Sequence, residues 1–335
     1  MTIRGVRAYL MSEPAAGPQG KLDAMLIMVE GDDGLCGYGP GRATVAAHAA
    51  VETLIGPFLE GRALCDPDAL RVLFHQQPGV TREVSRVYDA VEMALYDLTA
   101  RTYGVALCDL LGGPVRDEVS LYTLTPGGDP EATVEAARQF RETHGPDAAL
   151  MVDGSGWWGA AEQTIHRAAR ALSGCQVTWV QDPFPPADHA GWSRLEALDQ
   201  IPLAGGRFET DDLGLDDLIA RRCVSVLQCE LVQQGGLHTG RPLLASIARS
   251  GLQFAFVNNG TALDVLVAAH LAVCWPESVA PYLERPAAGA LSEGILMEKL
   301  ATHEGVLELD TSRPGLGIEI NLDVIQRFPW GASAT

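Results

Sequence analysis

The chain has 335 residues, 47% of them hydrophobic, and a formal net charge of −19. That length suits two domains, or one large barrel with an appendage, and the acidity argues against nucleic acid and anionic membranes as partners. The start, Met1 to Arg7, has no signal-peptide apolar core, and no run of about 18 apolar residues occurs anywhere, which reads as a soluble, cytoplasmic protein.

Seven cysteines, odd in number and without a CxxC pair, suggest reduced core thiols instead of a disulfide frame or a zinc site. A strand is expected over 3–11, then a Pro- and Gly-rich loop over 12–20. A hairpin follows, 22–31 and 34–39, around the turn Gly31-Asp-Asp-Gly34. Helical patterns lie at 43–56, 67–75 and 81–103. The last carries Val84, Val87, Val91, Leu95 and Leu98 at spacings of three and four, an amphipathic helix that stops near Gly104. Residues 1–115 thus form an α+β domain.

From Val119 strands and helices alternate. The first strand of this half, 119–125, ends at Thr125-Pro126. A helix starts near Asp129-Pro130, with Asp as N-cap and Pro at the first helical position. Apolar runs then end in polar residues at Asp153, Gln181, Arg207, Glu230 and near Val257-Asn258, steps of 28, 26, 23 and 27 residues. A near-constant period with a helical segment in each gap marks repeated βα units. The strand ends near 125, 153, 181, 207, 230, 257 and 283 number seven, where a closed parallel barrel normally has eight. The fold class is therefore α/β: an α+β N-terminal capping domain (1–115), a modified TIM-type (β/α) barrel of seven strands with one βα unit missing (116–305), and a C-terminal segment (306–335). In that segment Val306-Leu-Glu-Leu309 and Pro314-Gly-Leu-Gly-Ile-Glu319 look like short strands packing on the capping domain.

Six stretches in order resemble the mandelate racemase and muconate-lactonising group of the enolase superfamily. They are Gly34-Leu-Cys-Gly-Tyr-Gly39, Ala90-Val-Glu-Met-Ala-Leu-Tyr-Asp-Leu98 with Leu111-Gly-Gly113, Met151-Val-Asp-Gly-Ser-Gly-Trp157, Val180-Gln-Asp-Pro183, Gln233-Gln-Gly-Gly236 and Pro314-Gly-Leu-Gly317. The resemblance covers nearly the whole chain. It implies abstraction of a proton next to a carboxylate, with the enediolate held on Mg²⁺ by three carboxylates and with lysines or a His–Asp pair as bases. It also implies capping loops, here 12–20 and 76–81, that close over the barrel mouth, and homo-oligomers by analogy.

Taken position by position, the pattern is altered. Asp153 occupies the first metal position, Gln181 the second and Arg207 the third. Three carboxylates plus Mg²⁺ sum to −1, whereas Asp153, Gln181 and Arg207 sum to zero with no metal, so no metal ligand and no cofactor are expected. The only lysines are Lys21 and Lys299, so no barrel lysine base exists. Glu230 falls where the acid of a His–Asp pair would be, and Phe256-Val-Asn-Asn259 lacks the histidine.

The remaining candidates each carry two readings. Arg207 with Asp153 either clamps a substrate anion or forms a structural ion pair plugging the site. Asp182 and Glu230 could serve as acid and base if burial raised a pKa. Glu209 is a displaced ligand or a helix cap. His189 and His238 are bases or solvated loop residues. Trp157 and Trp158 line a pocket or pack between domains, and Asn258 and Asn259 donate to a ligand or cap a helix. The expected catalytic residues are Asp153, Asp182, Arg207 and Glu230, and the expected substrate-binding residues Gln181, Trp157, Asn258 and Asn259. The expected activity is a lyase, isomerase or cyclase, without Mg²⁺, on a small, partly apolar molecule with or without a carboxylate. The alternative is a non-catalytic relative that binds a small molecule or a protein partner.

Overall fold

The computed structural model describes residues 1–14, 20–124, 127–209, 212–285 and 288–331, Asp212 by its backbone alone. The expected strand end at Thr125-Pro126 and residues 15–19 of the first loop lie outside the described residues.

Strands β1 (Ile3–Pro14), β2 (Lys21–Gly31) and β3 (Cys36–Gly41) form an antiparallel meander. The β1–β2 ladder runs on to Pro14 opposite Lys21, so residues 12–14 are strand where a loop was expected. The helix Arg82–Tyr103 starts under a Thr81 cap and ends at Gly104 in the left-handed conformation. Tyr88 to Ala100 are all buried. The middle of this helix is therefore wrapped, with β3 on one side and barrel elements on the other, and only its ends keep an amphipathic pattern. A Cβ on Gly37 would strike the backbone of Ala94 and Leu98, so the Gly-Tyr-Gly hairpin is what lets β3 lie directly on the helix backbone. Asp97 locks the contact. Its buried carboxylate accepts from the Tyr38 N–H (2.8 Å), the Leu316 N–H (2.8 Å) and Arg101 Nε (3.0 Å).

Among the described residues seven parallel strands follow: β4 (Glu118–Tyr122), β5 (Met151–Asp153), β6 (Trp179–Gln181), β7 (Leu203–Gly205), β8 (Val226–Cys229), β9 (Gln253–Phe256) and β10 (Tyr282–Glu284). Two short strands, β11 (Thr302–His303) and β12 (Val306–Glu308), complete the sheet in the order β11-β12-β4-β10-β9-β8-β7-β6-β5. Among the described residues no strand pairing joins β4 to β5. The free side of β4 would leave a row of unpaired amides and carbonyls. Strand β12 covers that row antiparallel, Leu307 opposite Val119, and the Leu121 N–H donates to Gly305 O at 2.7 Å. Residues 306–308, expected on the capping domain, belong to the barrel sheet for this reason.

No strand forms over Pro314–Glu319, where one was expected: its rigid Gly- and Pro-rich turn leaves a single bridge from Gly315 to Ala106, and further on the Ser12 N–H donates to Phe328 O.

The barrel interior is filled by one side chain from each of six strands: Tyr122, Met151, Trp179, Ala204, Val226 and Ala255. Tyr282 of β10 packs against them. Tyr122, Trp179 and Tyr282 meet edge to face at 5.1, 5.2 and 6.4 Å between ring centroids. Large aromatic rings opposite small alanines give this sheet a packed centre. All seven cysteines are free thiols; four are buried, while Cys65 is exposed rather than in the core. No helix among the described residues is long and apolar enough to cross a membrane.

Candidate active site at the carboxyl ends of the barrel strands

The parallel register brings the polar strand ends to one rim. Asp153 ends β5 opposite Gln181, which ends β6. Asp182 follows in a left-handed conformation (φ 47°), a geometry that a short polar side chain tolerates better than most. Past β7 the chain turns at Gly206 (φ 122°), where a Cβ would lie 2.6 Å from Gln228 O; only glycine fits, and the turn delivers Arg207 to the rim.

Arg207 is the centre of the cluster. Its Nε lies 2.7 Å from Asp182 Oδ2, an ion pair whose atoms are not aligned as a hydrogen bond, and its Nη2 lies 3.6 Å from Asp153 Oδ1. The Gln181 amide is best oriented with its oxygen toward Arg207, accepting from Nη1 at 2.9 Å and Nη2 at 3.3 Å. Its nitrogen then faces the Gln228 amide at 2.8 Å, and Tyr122 closes the chain 3.3 Å from Gln228. Asp153 also accepts from the Ser155 N–H. Side-chain exposure is 20% for Asp153 and 13% for Arg207 against 3% for Asp182, so the cluster opens to solvent over Asp153 and Arg207. Phe208 sits under the guanidinium (4.6 Å to the ring centroid), and Trp158 meets Phe208 edge-on while donating to Asp182 O at 2.8 Å.

Burial dominates the electrostatics. It pushes the Asp182 carboxyl up to about 7, even against the pull of Arg207. Glu230, just past β8, is likewise pushed to about 7 by burial, although Asn259 Nδ2 donates to it at 2.7 Å. Glu284, the last residue of β10, is raised by burial, and the Asn258 N–H at 3.0 Å and the charge of Arg207 oppose this.

Asp153, Gln181, Asp182 and Arg207 are thus in one cluster, with Glu284 electrostatically coupled to it. Glu230, Asn258 and Asn259 share the neighbouring stretch of rim. The Asn258 side-chain nitrogen is buried with no hydrogen-bond partner among the described residues. Trp157 departs from its expected pocket-lining place. It is fully buried, its Nε1 donating to Thr133, because the short turn after β5 points it into the core; Trp158 faces the cluster instead. His189 pairs with Asp217 at 3.2 Å, and His238 turns toward Asp68 and Glu92 on the capping-domain helices, so neither serves the cluster. The Glu209 carboxylate lies beside Gly214 in the first turn of the helix Asp212–Arg221, in keeping with a capping place.

Sequence reasoning missed Glu284 and Gln228. Glu284 stands 26 residues after Asn258, within the period of the other strand ends, but the apolar pattern places the end of the last strand near 283, one residue short of it. Gln228 is the lone polar side chain inside the buried run Val226–Cys229, and that was the available signal.

Residues 9–112 match the family model described as the mandelate racemase/muconate lactonizing enzyme N-terminal domain, and residues 114–324 match the enolase C-terminal domain-like model. The chain is 24% identical to a D-galactarolactone cycloisomerase of Agrobacterium fabrum, covering 98% of this chain and 99% of that protein. It is 25% identical to a putative L-rhamnonate dehydratase of Caldivirga maquilingensis, covering 91% and 83%. Its structure resembles that of the 3,6-anhydro-D-galactonate cycloisomerase from Zobellia galactanivorans, with a TM-score of 0.86 at 21% identity and coverage of 98% and 99%. With both halves matched in order, the chain belongs to the mandelate racemase/muconate lactonizing enzyme family of the enolase superfamily.

Proposed function

We propose that the chain is a lyase or isomerase for a small polyhydroxy acid or its lactone, working around Arg207 instead of a bound Mg²⁺. The observation that carries this reading is the guanidinium seated among Asp153, Gln181 and Asp182. In the family that space belongs to the metal. The donor set here does not fit the ion: two carboxylates that both face a guanidinium, one neutral amide, and in Arg207 a cation that keeps its charge at any working pH.

Arg207 would hold the substrate carboxylate and the enediolate that develops from it. Asp182 and Glu230, each poised near neutrality, suit proton transfer at pH 7. In a dehydration, an ionised carboxylate takes the proton beside the substrate carboxylate. The C–H electron pair becomes the new double bond, and the β-hydroxyl departs as water with a proton from a second, protonated carboxyl. Trp158 and Phe208 would form an apolar wall at the open side. The acid–lactone substrate class rests on the names of the relatives.

The test is turnover of galactarate, galactonate, gluconate, rhamnonate and galactarolactone in EDTA and in Mg²⁺. Turnover in EDTA that Arg207→Ala and Asp182→Asn abolish is the expected result; turnover only in Mg²⁺ would overturn the reading. A non-catalytic reading is favoured by one fact, that Arg207 is already paired internally. Ligand-induced thermal stabilisation without turnover of any member would select it.

A further inference from the structure

Away from the barrel rim, three helices bring a second set of ionisable groups together. Asp68 comes from the helix Pro67–His75, Glu92 from Arg82–Tyr103 and His238 from Gly236–Ser250. One carboxylate oxygen from each acid and one imidazole nitrogen all lie within 4.8 Å of one another. A point among three such atoms is no more than about 2.8 Å from each, so small side-chain rotations reach the 2.0–2.2 Å of a zinc–oxygen or zinc–nitrogen bond.

Glu92 makes this more than an acidic cluster. It is 0% exposed, and among the described residues neither carboxylate oxygen has an aligned hydrogen-bond partner; the His238 backbone N–H is the one donor that approaches it. Its nearest cation, Arg71 at 3.9 Å, is already engaged closely by Asp89. A buried carboxylate left in that state is costly. Asp68 accepts from the Tyr96 hydroxyl on Oδ1 (3.0 Å) and from Arg241 on Oδ2 (3.3 Å), which leaves each oxygen a further lone pair for an ion. Burial raises the Glu92 carboxyl to about 8, so an ion binding there displaces its proton; with Glu92 then ionised, Asp68, Asp89 and Glu92 against Arg71 and Arg241 leave one net negative charge to meet the ion. His238 is exposed, so an ion can enter from solvent and keep a water in its fourth position.

We propose that Asp68, Glu92 and His238 bind one divalent transition ion, which ties the capping domain to the barrel helix Gly236–Ser250. An imidazole nitrogen with two carboxylates favours Zn²⁺ or Mn²⁺ over Mg²⁺. The ion would act apart from the chemistry at Arg207.

The test strips the full-length protein with EDTA, then titrates Zn²⁺ in competition with a chromogenic chelator, with thermal unfolding run in parallel. Asp153→Asn and Cys65→Ser serve as controls for binding at the rim or at the exposed thiol. The expected result is one Zn²⁺ per chain that raises the melting temperature, unaffected by the controls. Affinity falls at least about tenfold in His238→Ala and in Glu92→Gln. His238 is exposed, so that variant alone suffices if Glu92→Gln folds poorly. No stoichiometric binding, or binding unchanged in His238→Ala, overturns the proposal.

Discussion

Glu230→Gln isolates the energetic state of one rim carboxylate. Burial raises the Glu230 pKa from 4.5 to about 7. Below pH 4.5 the folded and unfolded chains both hold the proton, and the full stability of the buried neutral acid is present. Between 4.5 and about 7 the unfolded chain releases its proton while the folded one keeps it, so stability falls as pH rises. At 1.36 kcal/mol per pH unit, the loss reaches on the order of 3 kcal/mol. Glutamine has the same shape, still accepts from Asn259, and does not titrate. Urea unfolding of both proteins from pH 4 to 8.5 gives a difference curve in which other groups cancel. It should be flat at low pH and then climb, leaving the variant more stable by roughly 3 kcal/mol at pH 8. A difference curve that is level throughout would refute the account of Glu230 as a desolvated acid. If Glu230 also moves protons in the reaction, the stabilised variant turns over slowly, the usual cost of improving a strained site.

Other substitutions test neighbouring parts of the argument. Arg207→Met leaves Asp153 and Asp182 facing each other without a cation and should cost about 3–5 kcal/mol at pH 8. The cost should shrink at pH 5, where Asp182 (about 7 when folded) is protonated, and chemical denaturation at the two pH values reads this. Asp97→Asn keeps one accepting oxygen but sets an amide N–H₂ against one backbone N–H and Arg101, and should lower stability by about 3 kcal/mol at neutral pH, seen as a lower urea midpoint. Gly37→Ala drives a methyl into the backbone of the Arg82–Tyr103 helix and should cost at least about 1–3 kcal/mol, measured in the same way.

The repeating βα period was legible because each barrel strand is a short apolar run that must end at the rim in something polar. Asp153, Gln181 and Glu230 were found by counting alone. The charges of Asp153, Gln181 and Arg207 at those strand ends were legible because charge is a property of residue type, whatever the side-chain geometry. Other features depended on three-dimensional packing. Nothing in Gly-Trp-Trp says which indole turns inward, and the tight turn at Ser155–Trp157 decides it. The pairing of 306–308 with β4 depends on a vacancy in the sheet that no local pattern records. The pairing of Arg207 with Asp182 rather than Asp153 at the shorter distance depends on Asp182 adopting a left-handed backbone, which its residue type permits but does not demand.

The carboxylate of Asp97 collects donors from residue 38 and residue 316, and β1 meets residues 328 and 329. During synthesis the capping domain is therefore left unfinished until almost the whole barrel has been made. Until then a buried acid beside Arg101 lacks one of its backbone donors, and the first strand lacks part of its cover. A fragment ending near residue 112 would inherit those defects permanently, and the two halves that match separate family models should unfold together as one cooperative unit.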